Sequence, residues 1–152
     1  MSAIEARFGH VNITANDWQR LATFYTDVFG CEFVPPERDI RSADLDAATG
    51  LRDAHLTGAH LRLPGHGETG PTLEIFQYDA LDRHPGARVD RPGLGHVAFQ
   101  VPNVPAAVAA VIAAGGARFG EAVAMQTKDG RTVTWVYTTD PEGNLVELQA
   151  WS

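Results

Sequence analysis

A chain of 152 residues with 44% apolar and 20% charged side chains has the make-up of one compact globular domain, or of two half-size modules sharing a core. Twelve basic against nineteen acidic residues leave a net charge of −7, which argues against electrostatic capture of nucleic acid or of an anionic membrane. The single Cys31 excludes an intramolecular disulfide, no apolar run reaches 18 residues, and MSAIEARFGH lacks an apolar signal core, so a cytoplasmic protein without a membrane span is expected.

The first predicted element is a strand over Phe8-Gly-His-Val-Asn-Ile-Thr14, alternating with the period of a half-buried strand. Asn16-Asp17 then offers an N-cap, and Trp18, Leu21, Ala22, Tyr25, Val28 and Phe29 follow at helical spacing until Gly30. Strands are predicted near Cys31–Val34, over Ala54–Leu63 and over Thr72–Tyr78, with a polar excursion from Pro35 to Ala54 that holds a short helix-like stretch, Ser42 to Thr49. A Pro- and charge-rich linker over 81–92 separates a first module (5–80) from a second (93–152). There Leu94-Gly-His-Val-Ala-Phe-Gln100 opens a strand, Asn103 caps a helix with Pro105 in its first turn, and Gly115-Gly116 ends it. Strands follow near Ala122–Thr127, Thr132–Tyr137 and Leu145–Ala150.

The two modules repeat one pattern. Gly-His-Val recurs in both opening strands, and Leu73-Glu-Ile75 answers Val146-Glu-Leu148 near the ends. His10 and Glu74 are 64 residues apart and His96 and Glu147 are 51 apart, so the first module carries 13 extra residues, assigned to the Pro35–Ala54 excursion as a surface loop or lid. Each module reads as β-α-β-β-β. A single four-stranded sheet of this kind cannot cover its own apolar face, so the expected fold is α+β, two paired βαβββ modules forming a curved mixed sheet around a cleft.

Strand parity places His10 with Asn12 and Thr14, opposite Val11 and Ile13, and places Glu147 with Leu145 and Gln149, opposite Val146 and Leu148. Each module therefore presents one His and one Glu on a polar face. A lone strand histidine is usually a hydrogen-bonded core or surface residue. Two His/Glu pairs at equivalent places of a repeat instead suggest that His10, Glu74, His96 and Glu147 are ligands of one divalent cation. Two nitrogen and two oxygen donors with a charge of −2 suit Zn first, with Ni, Co, Mn or Fe also compatible, and leave open positions for water or substrate.

With those residues in place the chain resembles the vicinal oxygen chelate superfamily, which includes glyoxalase I, methylmalonyl-CoA epimerase, extradiol dioxygenases, and fosfomycin resistance and bleomycin-binding proteins. The resemblance runs from Gly9-His-Val to Asp140-Pro-Glu-Gly-Asn-Leu-Val-Glu-Leu148, the most specific stretch. It implies paired modules, a metal in the cleft, the same four ligands, and substrate bound through two adjacent oxygens. His10-Val-Asn-Ile with Asp17-Trp18, Phe29-Gly-Cys31 with Pro35-Pro-Glu-Arg-Asp39, and Leu61-Arg-Leu-Pro-Gly-His-Gly67 are similar to the 2-epi-5-epi-valiolone epimerases of cyclitol antibiotic biosynthesis.

The resemblance implies a metal-dependent epimerase of a cyclitol α-hydroxyketone, acting through a metal-chelated enediolate on a small polyhydroxylated ketone. Glu147 is the expected base, Glu74 the alternative base or opposite-face partner, and His60 a second acid/base candidate. Tyr25, Trp135 and Tyr137 are assigned to core or cavity wall, and His55, His66 and His84 to solvated stretches. The competing readings are a glyoxalase I-like lyase or isomerase, an acyl-CoA epimerase, and a natural-product binding or resistance protein. A homodimer is expected.

Overall fold

Two stretches of alternating residues that each begin on Gly-His-Val fold into the first strands of two separate mixed sheets. The computed structural model describes residues 4–82 and 85–152. Two compact units divide the chain: Met1–Thr26 with Gly30–Asp82, and Asp27–Phe29 with Arg83–Ser152. Of the predicted linker and solvated histidines, Arg83 and His84 lie outside the described residues.

In the first unit, β1 (His10–Thr14) leads into α1 (Trp18–Phe29), followed by β2 (Glu32–Ile40), α2 (Ala43–Thr49), β3 (Leu56–Arg62) and β4 (Thr72–Tyr78). The strand order is β1-β4-β3-β2, with β1 parallel to β4 and the other pairs antiparallel. Asp17 caps α1 by accepting from the Arg20 N–H, and Gly30 ends it at φ 67°, a left-handed geometry that glycine adopts at little cost. The Trp18 N–H donates to Gln77 Oε1 at 3.2 Å, which ties the helix start to the side of β4 that also carries Leu73 and Ile75. Leu21, Phe24 and Tyr25 on the helix and Ala59, Leu61, Leu73 and Ile75 on the strands are buried. Cys31 is buried beside them, and burial pushes its thiol up to about 11, too high for a reactive thiolate.

The second unit repeats the plan with β5 (Val97–Gln100), α3 (Val104–Ala113), β6 (Ala117–Arg118), β7 (Val123–Gln126), β8 (Thr132–Thr139) and β9 (Leu145–Trp151). β5 runs parallel to β9, β9 pairs antiparallel with β8, and β6 and β7 pair with successive parts of β8. Asn103 caps α3, which packs on β8 and β9. The helix ends at Ala114, one residue before the predicted Gly115-Gly116, and Gly116 is needed for close approach: a Cβ there would meet the Thr139 carbonyl oxygen and Val111.

The structure departs from the sequence expectation in three places. The Pro35–Pro36 pair reads as a strand breaker, yet β2 runs through it to Ile40, its pairing with β3 shifting register between Val34 and Arg38. Proline donates no backbone hydrogen bond, and the displaced register accommodates that. The excursion is thus strand first and helix second, with α2 capped by Ser42. β6 is an element that two residues cannot announce.

His55 is the third departure. Its Nε2 lies 2.7 Å from Asp39 and its Nδ1 3.0 Å from Asp79, while Arg41 bridges Asp79 at 3.0 Å and Asp53 at 2.7 Å. Asp46 of α2 accepts from the backbone N–H groups of Asp53 and Ala54 at 2.8 Å. These contacts fasten both ends of the excursion to the end of β4.

Two predictions follow from these ties. Asp140, 2% exposed, accepts from the Glu142 and Asn144 backbone N–H groups and from the Asn144 side-chain amide, shaping the turn that feeds β9. Asp140→Ala is expected to lower unfolding free energy by about 2 kcal/mol in urea titrations, because half-buried donors lose a buried carboxylate acceptor; a loss below about 0.5 kcal/mol would refute this role. The hydrogen bonds to Asp39, then Asp79, raise the His55 pKa above its usual value. A raised folded-state pKa gives stability that is full below the ordinary histidine range and fades as pH rises through the shifted value. The urea midpoint of His55→Ala should therefore fall below wild type near about pH 6 and approach it near about pH 9; a gap that does not change with pH would contradict the assignment.

Candidate metal and proton-transfer site

Parallel pairing sets the geometry in each unit. In the first, His10 is registered with Thr72 and Asn12 with Glu74, so His10 and Glu74 point to the same face two residues apart. Their side chains meet, His10 Nε2 lying 3.0 Å from Glu74 Oε2. In the second, Ala98 is registered with Glu147, and His96, just ahead of β5, lies with its Nε2 3.0 Å from Glu147 Oε2. The structure thus brings His10 to Glu74 and His96 to Glu147, and the two pairs lie in different units.

The carboxylates are the less exposed members, 11% for the Glu74 side chain and 17% for Glu147, so each is largely withdrawn from water beside an imidazole. The donor atoms suit a divalent ion. Two neighbouring ligands about 2.1 Å from one cation sit about 3 Å from each other, the separation each pair shows. Among the described residues no group of three or more His, Cys, Asp or Glu side chains is arranged to hold a metal ion, so each unit by itself offers a pair of ligands.

His60 belongs to the first unit's pair in a different way. It is the antiparallel partner of Glu74, and its Nε2 lies 3.0 Å from Oε1, the oxygen that does not face His10. Its Nδ1 is 3.4 Å from the Thr72 hydroxyl, and its ring meets His10 edge-on at 6.2 Å and Phe76 at 5.6 Å. Phe76 has its place because Gly58 lies across from it: a Cβ on Gly58 would run into the Phe76 ring and the Ile75 carbonyl oxygen. Burial holds the His60 pKa below its usual value, with Arg38 and His10 adding to the depression against the opposing pull of Glu74.

At the equivalent place in the second unit, the partner of Glu147 on β8 is Tyr137. Its ring lies 5.1 Å from His96 and 5.3 Å from Trp135, an aromatic wall beside the pair. Burial, then the nearby Glu147 charge, raises its phenol pKa above the usual value, which keeps it neutral. The correspondence of His60 with Tyr137 escapes sequence reasoning, since His60 precedes its Glu by 14 residues and Tyr137 by 10. Only the strand registers align them.

A sequence profile for the Glyoxalase/Bleomycin resistance protein/Dioxygenase superfamily matches residues 7–148. No curated protein matches the chain. A glyoxalase family protein from Bacillus cereus is similar in structure with a TM-score of 0.81 at 19% identity, covering 99% of this chain and 98% of its own. A glyoxalase family protein from Enterococcus faecalis superposes with a TM-score of 0.60 at 23% identity over 94% and 96% of the two chains. The fosfomycin resistance protein FosX of Listeria monocytogenes, solved with Mn(II) and a sulfate ion, does so with 0.57 at 15% over 97% and 93%. At these identities the structural likeness is one of fold. No helix among the described residues is long and apolar enough to cross a membrane.

Proposed function

Since the chain belongs to the Glyoxalase/Bleomycin resistance protein/Dioxygenase superfamily, we propose that it is a divalent-metal-dependent isomerase that epimerises a cyclitol α-hydroxyketone of the 2-epi-5-epi-valiolone type. The observation that carries this reading is the repeated His–Glu pair: an imidazole Nε2 and a carboxylate Oε2 held 3.0 Å apart at equivalent strand positions of both units. His10, Glu74, His96 and Glu147 are the ligand set. The aromatic wall of Trp135 and Tyr137 beside His96 supports a small organic substrate. The cyclitol assignment rests on the sequence stretches around Asp17-Trp18, Pro35-Pro36 and Leu61–Gly67.

A bound divalent cation supplies the positive charge that stabilises an anion developing across two adjacent substrate oxygens. The chain's own residues move the proton. Glu147 has one oxygen against His96 and, among the described residues, no hydrogen bond or ion pair at the other, so its Oε1 is available to take the proton from the carbon bearing the hydroxyl. Return of a proton to the opposite face of that carbon inverts it. Intact ligand pairs in both units favour catalysis over sequestration of a natural product. A homodimer fits the exposed apolar side chains Phe8 and Leu94, which stand at equivalent positions ahead of the two histidines.

The test is metal analysis of the purified protein followed by proton NMR in deuterated water. The panel is 2-epi-5-epi-valiolone, a glutathione hemithioacetal and an acyl-CoA. Wild type should carry close to one divalent ion per ligand set and exchange the α-proton of the hydroxyketone. Chelation should abolish the exchange, and Glu147→Gln should slow it by about 100-fold or more. Absence of exchange with metal bound would overturn the epimerase reading, and turnover of the hemithioacetal alone would replace it with a glyoxalase.

A further inference from the structure

Beside the His96–Glu147 pair, the polar face of the second unit carries amide side chains that the proposed proton transfer does not use. We propose that Gln149 and Gln100, next to Trp135, form a subsite for the hydroxylated part of a six-membered ring, and that Gln149 sets the preference for a polyhydroxylated ketone. This rests on the reading above for the reaction at Glu147 and deepens it by naming residues that select the substrate.

Strand register assembles the subsite. On β9, Gln149 follows Glu147 by two residues, which puts both on one face about 7 Å apart along the strand. Gln149 is registered with Gln100 of β5 on one side and with Trp135 of β8 on the other. Tyr137 stands across from Glu147, one pair further along. The Trp135 and Tyr137 rings meet at 74° with centroids 5.3 Å apart, an aromatic corner along the β8 side of the subsite. The step from Glu147 to Gln149 is comparable with the width of a hydroxylated six-membered ring. A ring whose reacting carbon is at Glu147 therefore reaches the two amides with its far hydroxyls.

The Gln149 amide has a fixed sense. The Trp151 indole N–H donates to Gln149 Oε1. An indole nitrogen only donates, so the amide oxygen faces Trp151 and the amide NH2 is turned away with two hydrogens to give. Among the described residues neither hydrogen is taken up. Trp151 is itself held, with the Arg131 guanidinium 4.7 Å from its ring centroid and Arg131 paired to Asp129 at 2.8 Å. Asp129, Arg131 and Trp151 are thus positioning residues for a half-buried donor. A ligand oxygen at that donor meets a group already oriented, which lowers the ordering cost of binding.

The chemistry selects an uncharged polyol. A neutral amide two residues from a carboxylate, in a chain of net charge −7, suits a hydroxyl and disfavours a phosphate or carboxylate. Two neighbouring amides serve adjacent hydroxyls as both donors and acceptors. The C–H bonds of a polyol ring, polarised by their oxygens, suit the negative face of an aromatic ring.

The experiment uses the full-length protein loaded with Zn(II). It compares deuterium exchange of 2-epi-5-epi-valiolone with that of 2-hydroxycyclohexanone, an α-hydroxyketone whose ring lacks the further hydroxyls. Wild type should favour the first by about 10-fold or more in kcat/KM. Gln149→Met keeps the side-chain length and removes the donor, and should lower that ratio about 10-fold, mainly through KM. Trp151→Phe keeps a ring against Arg131 and removes the indole N–H, and should lower the ratio about 3-fold. An unchanged ratio in Gln149→Met, or equal losses on both ketones, would overturn the proposal; an unchanged ratio in Trp151→Phe would overturn the positioning role. A second readout needs no turnover. In saturation-transfer difference NMR, irradiation of the aromatic protons should reach the ring protons of myo-inositol, with a Kd about 10-fold higher in Gln149→Met. No transfer in wild type, or an unchanged Kd in the variant, would overturn the subsite. A wild type that binds myo-inositol in this way and exchanges neither ketone would defeat the proposed reaction and support the subsite.

Discussion

The parallel pairing of the first and last strands of each repeat is the constraint from which the rest of the molecule follows. Parallel neighbours need a crossover between them, and in each unit that crossover carries a helix and the intervening strands. The pairing also brings together residues that are far apart in the chain. His10 beside Thr72, and Ala98 beside Glu147, are what allow a histidine at the head of one strand to touch a carboxylate inside the other. A slip of one residue would turn either carboxylate to the apolar face among Leu73 and Ile75 or Val146 and Leu148, where an unpaired charge is costly. Register and the burial of those aliphatics are therefore specified together.

Around this constraint the two units use different means. The first encloses its glutamate with a second histidine, a threonine and a phenylalanine admitted by a glycine. The second sets a tyrosine and a tryptophan against its histidine. One carboxylate has an imidazole nitrogen 3.0 Å from each of its oxygens and the other from one. The polar network at His55 lies elsewhere on the first unit, where it fastens the inserted strand and helix.

Much of the site was legible because the repeat is short and the strands alternate. Gly-His-Val twice and an aliphatic-flanked Glu twice, with period-two parity, suffice to put one His and one Glu on a polar face of each module. The helix ends at Asp17, Gly30 and Asn103 were legible for a local reason, since capping depends on a few neighbouring residues. The path of β2 through Pro35–Pro36 was not, because a proline pair reads as a break unless a register shift absorbs it. Nor was the His55 cluster, whose partners Asp39 and Asp79 come from two other strand ends.

The sequence by itself determined the α+β repeat, the membership of each strand face and the identity of the two His–Glu pairs, because alternation and capping are properties of near neighbours along the chain. What only the tertiary structure decided is which side chain stands across from each glutamate. That depends on antiparallel registers set by the turns between β3 and β4 and between β8 and β9, one of them shaped by the buried Asp140. Turn length and hydrogen-bond register are settled when the sheet forms, and they place His60 against Glu74 and Tyr137 against Glu147.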